Sequence, residues 1–93
     1  MTTLSPSAPA PRWTREQLRA ARLVQLRPLL TQRRLQLLER EAGNFELPAY
    51  PGLLLKESYW RWPQRHLAGN TIDFFVQVLG LSFHNAMREI LAP

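Results

Sequence analysis

Residues 69–91, GNTIDFFVQVLGLSFHNAMREIL, constrain the fold more than any other stretch, because two helix starts and one helix stop fall within it. Asn70 or Thr71 can cap the first helix, and Asp73 places a carboxylate in its first turn, where the helix dipole favours negative charge. Ile72, Phe75, Val76 and Leu79 form an apolar stripe, and Gly80 ends the run. Ser82 caps a second helix through Phe83, Ala86, Met87, Ile90 and Leu91. The connection LGLS is too short to let the two helices separate, so they form a packed pair.

Ninety-three residues allow one core and one domain. The beginning of the chain, residues 1–13, is small, polar and rich in proline, with no apolar period, and reads as a disordered tail preceding a single domain over 14–93. Thr14 and Gln17 fit a capping box, so a helix is expected over 14–26, with Leu18, Ala21 and Val24 on one side and Arg15, Arg19 and Arg22 on another. Leu26 falls among the arginines and spoils the stripe. Pro28 interrupts the helix. A short second helical piece with Leu29 and Leu30 follows, Pro28 sitting in its first turn, and TQRR ends it.

The middle of the chain reads as strands. LQLLERE and FELPAY flank Gly43-Asn44, two residues that accept positive φ, which fits a tight hairpin; the first run would equally continue the helix, and strand is the expectation adopted. LLLKES and YWRW supply more strand after the punctuation of Pro51-Gly52. The predicted class is α+β: an N-terminal helix, a small antiparallel sheet and a C-terminal helix pair.

Composition removes several chemistries. The chain has no cysteine, hence no disulfide, no thiolate nucleophile and no cysteine-held metal. His66 and His84 have no partner at a ligand or catalytic spacing, and the acids Glu57, Asp73 and Glu89 sit on separate elements, so neither an enzyme nor a cofactor is expected. No apolar run reaches membrane-span length and no signal-peptide pattern opens the sequence, which makes a cytoplasmic protein with no membrane partner the expectation.

The net charge is +5 and comes from eleven arginines and one lysine, with eight of the arginines in residues 1–42. Planar guanidinium groups favour phosphate and carboxylate partners. Tyr59-Trp60-Arg61-Trp62 adds aromatic surface. As a strand it places Trp60 and Trp62 on one face and Tyr59 and Arg61 on the other, so that one pair fills the core and one is available for binding. The nucleic-acid-binding set read from the sequence is Arg33, Arg34, Arg61 and Arg65 on phosphate, with Tyr59 or Trp60 stacking on an unpaired base.

Ile72-Asp73-Phe74-Phe75 and Gly80-Leu81-Ser82-Phe83 resemble the end of the zinc-binding domain of bacterial replicative primases and of its plasmid, phage and Toprim-associated relatives. In that family a ribbon ends in a glycine turn followed by two such helices. The similarity extends over about residues 16–92 and includes a YWxW-like strand. The resemblance implies a ribbon-like sheet and contact with single-stranded DNA. Where the family carries its second Cys-x-x-Cys pair, this sequence has Trp62 and Arg65, so the resemblance implies a degenerate, metal-free ribbon. Its knuckle is then expected to be held by packing among Trp60, Trp62, Tyr59 and Phe45. Two functions follow as expectations: a nucleic-acid-binding accessory module of a mobile element, standing alone, or a small plasmid or phage protein that inhibits a host nucleic-acid-processing protein such as a CRISPR effector.

Overall fold

The computed structural model describes residues 13–92. The expected tail therefore lies outside the described residues except for Trp13, which packs against the core with its ring 5.6 Å from that of His84. The fold is α+β. Helix α1 spans Arg15–Leu23 and α2 Leu26–Gln32. Five strands follow, β1 Leu38–Glu39, β2 Phe45–Glu46, β3 Leu54–Lys56, β4 Tyr59–Trp62 and β5 Leu67–Asn70. Helix α3, residues 71–78, opens as the α-turn Thr71–Asp73 and continues as the π-helical turn Phe74–Val78, and α4 spans Phe83–Ile90.

The capping box at Thr14 forms in both directions, with Gln17 N–H donating to the Thr14 hydroxyl and Thr14 N–H donating to the Gln17 amide oxygen. The first helix nevertheless ends at Leu23, short of the expected Leu26. Leu26 belongs to α2, where it is fully buried, and its N–H donates to Glu57 O at 2.9 Å. The flaw in the apolar stripe of α1 marked the true boundary. Pro28 sits third in α2, inside the first turn, where no intrahelical N–H is required.

Helix α2 closes in a Schellman motif. Leu35 N–H donates to Leu30 O at 3.0 Å and Arg34 N–H to Thr31 O at 2.9 Å, with Arg34 in the left-handed region at φ 65°.

The sheet is an antiparallel meander in sequence order, β1-β2-β3-β4-β5. The first hairpin is where the sequence places it, but its turn is shifted by one residue: Ala42 and Gly43 carry positive φ, whereas Asn44 is at −81°. A fifth strand, LAGN, pairs with β4 from Tyr59↔Asn70 to Trp62↔Leu67. Alanine, glycine and asparagine are poor strand formers, and the pairing partner supplies what propensity does not.

Register fixes which side chains share a face. Phe45, Leu55, Trp60 and Gly69 lie across one face, and Leu38, Glu46, Leu54, Arg61 and Ala68 across the other. Trp60, fully buried, meets Phe74 of α3 edge-on with ring centroids 5.7 Å apart. The core between this inner face and the helices also takes in Leu26, Leu30, Leu47, Leu53, Phe75, Met87 and Ile90. Phe74 lies off the predicted stripe yet is fully buried, because a π-helical turn brings consecutive residues 74 and 75 both inward. Phe83, predicted inside the stripe of α4, is 47% exposed at the helix start. Thr71 is buried and its hydroxyl donates to Val24 O at 2.5 Å, tying the end of α1 to the start of α3.

Candidate nucleic-acid interface

The sequence-derived site residues separate into four places. Tyr59 and Arg61 stand side by side on the outer face of β4, both exposed, with Tyr59 at 58%. Directly across the β3–β4 hairpin, Lys56 pairs with Tyr59 and Leu54 with Arg61. Asn44, Leu54, Leu55, Lys56, Tyr59 and Arg61 line a shallow depression of about 80 Å³. One phenol ring, two cations and a leucine side chain thus share a patch built on hydrogen-bonded strands.

Trp60 leaves the candidate set. Its indole is wholly enclosed between β4 and α3, and its N–H donates to Asn70 O at 2.8 Å, so no ring face is free for a base. The alternation of β4 that exposes Tyr59 buries Trp60. Of the four rings expected to cluster, Trp60 and Trp62 lie in the core with Phe45 packed against it, and Tyr59 stands apart. Tyr59 points to the opposite side of the sheet from Trp60, and Phe45 lies under the Arg27 guanidinium at 5.7 Å. Trp62 meets Tyr50 edge-on at 5.7 Å.

Arg33 and Arg34 belong to the helical layer. Arg33 is ion-paired with Glu89 of α4 and lies over the Phe75 ring at 5.9 Å. Phe75 and α4 pack on the inner side of the sheet, so the structure does not bring Arg33 to Tyr59 and Arg61. Arg34 is exposed and its backbone serves the helix cap. Arg65 follows β4 in the turn Pro63–Arg65, its guanidinium 4.9 Å from the Trp62 centroid.

The outer face has a polarity. Over β3 and β4 it carries Lys56 and Arg61. Beyond Leu54, toward β1 and β2, a larger depression of about 700 Å³ is lined by Glu41 and Glu46 together with Arg40, which is bonded to Glu46 at 3.0 Å, and at its edge by Glu39, which the register with Phe45 sets on the inner side. A phosphate chain is attracted to the first region and repelled by the second. Lys56 was not singled out from the sequence. The signal was present: a two-residue turn at Glu57-Ser58 sets Lys56 opposite Tyr59 by counting alone.

Among the described residues, no group of three or more histidine and carboxylate side chains comes together that could hold an ion. Among the described residues no helix is long and apolar enough to cross a membrane. No protein-family model, curated protein or solved structure matches the chain.

Proposed function

We propose that this chain is a single-stranded nucleic-acid-binding module, DNA being the favoured partner, and that its binding surface is the outer face of β3 and β4. The observation that carries the reading is the placement of Tyr59 beside Arg61 and opposite Lys56 on a sheet face whose opposite side holds the helices and the core. An exposed phenol stacks on any unpaired base, and flanking cations pair with the phosphates on either side. Rigid strands hold these groups at fixed spacing, so little side-chain and backbone freedom is lost on binding.

The same reading takes the chain as a metal-free counterpart of the primase ribbon. The Trp62–Arg65 stack stands at the positions where the resemblance places the second cysteine pair, and it joins the end of β4 to the turn that follows. Packing there supports a knuckle that needs no ion.

A titration of a labelled single-stranded oligonucleotide at several salt concentrations tests the proposal. Each phosphate neutralised on a single strand contributes about 0.7 to the slope of log affinity against log salt. Replacing Lys56 and Arg61 by glutamine is expected to lower that slope by about 1.4, two contacts' worth. A slope unchanged by the double replacement, or co-purification with a host protein and no oligonucleotide binding, sinks the proposal.

A further inference from the structure

Helix α1 carries a second cationic surface that differs in kind from the sheet face. Arg15, Arg19 and Arg22 are exposed, and at about 100° per residue they fall within an arc of about 60° on the helix. They cover a rise of about 10.5 Å at 1.5 Å per residue. None of the three is ion-paired among the described residues, where the pairs are Arg33 with Glu89 and Arg40 with Glu46. Ala21, on the opposite side of α1, is buried, and Thr71 anchors the chain just after the helix end through Val24 O, so the row is held rigidly on the helical layer.

The chemistry of this row is narrower than that of the sheet face. Phe83 of α4, 47% exposed, lines a depression with Arg22, but the row on α1 carries no aromatic residue of its own. It offers three guanidinium groups, each able to grip a phosphate through two parallel N–H bonds. On duplex DNA one strand advances about 3.4 Å along the axis per phosphate, so about 10.5 Å covers about three phosphate steps, within which three guanidinium groups can each reach a phosphate.

We infer that the Arg15, Arg19 and Arg22 row of α1 is a backbone-only contact surface for a DNA duplex, distinct from the Tyr59 face, so that the preferred ligand is a single strand adjoining a duplex. The inference extends the proposed function and rests on it for the single-stranded half alone.

The test compares the full chain with its R15Q/R19Q/R22Q variant, which leaves the Thr14–Gln17 capping box and the buried side of α1 intact. The probes are a single-stranded oligonucleotide, a blunt duplex and a single strand joined to a duplex. The parent is expected to bind the joined probe tightest and with the steepest salt slope. The variant is expected to lose about 2.7 of that slope, three contacts at about 0.9 each on duplex DNA, while its single-strand slope changes by less than about 0.7. Equal loss on the single strand and the joined probe overturns the inference, and so does no loss on either, or a variant whose only defect is in binding anionic lipid vesicles. If the parent binds the blunt duplex with an α1-dependent slope but ignores the single strand, the sheet-face proposal fails and the α1 inference stands.

Discussion

The Arg65 guanidinium lies 4.9 Å from the centroid of the Trp62 ring, three residues away across the turn that leaves β4. Trp62 is anchored from below, its indole N–H donating to Pro51 O at 3.0 Å and its ring meeting Tyr50 edge-on. Arg65 covers the remaining side. A small domain without disulfides has few ways to fix such a turn, and a cation on an indole face is one that needs neither cysteine nor metal.

Replacing Arg65 by alanine removes this cover from an exposed turn and is expected to destabilise the fold by about 0.5–1 kcal/mol, the range for exposed cation–π pairs. For a domain of this size the melting temperature falls by about 2–8 °C. Circular dichroism melts check it.

Zinc and chelators supply a complementary experiment. Among the described residues no group of histidine and carboxylate side chains comes together to hold an ion, so neither excess zinc nor a strong chelator is expected to act on the folded state. The melting temperature is expected to stay the same under both, and a rise with zinc shows that a donor set forms.

Gly69 is expected to tolerate no side chain. A Cβ there overlaps the Asp73 carboxylate, which accepts the Asn70 N–H at 3.0 Å while the Asn70 side chain accepts from Asp73 N–H at 3.1 Å. Gly69→Ala displaces one arm of this capping box. The expected loss is about 1–2 kcal/mol, a cap's worth, read from the urea unfolding midpoint.

Arg34 occupies the C′ position of a Schellman motif at φ 65°, where a side chain costs energy and glycine does not. Arg34→Gly is expected to raise stability by up to about 1 kcal/mol. Because Arg34 lies apart from the Tyr59 face, single-strand affinity is expected to change less than twofold, which an oligonucleotide titration of the same variant reads.

The sequence revealed best what rests on local rules. The capping residues Thr14, Asn70 and Ser82 all act as the pattern requires, and the alternation in YWRW correctly separated Trp60 and Trp62 from Tyr59 and Arg61. What depends on distant partners was harder to see. The strand LAGN has little propensity of its own and exists because β4 pairs with it. Arg33 reads as a free cation until α4 folds back and supplies Glu89, fifty-six residues later. Trp60 reads as a stacking candidate because a sequence tells which residues share a face but not which face the helices cover. Phe74 escaped the stripe because a π-helical turn departs from the 3.6-residue period.

The most direct test is the affinity of Tyr59→Ala for a single-stranded oligonucleotide, measured beside the unfolding midpoint of the same variant. Tyr59 is 58% exposed and on the outer face, so the midpoint is expected to hold. Loss of one stacked base, about 1–3 kcal/mol, weakens binding by about 5- to 150-fold. Affinity equal to the parent's, in a variant that is folded, contradicts the account.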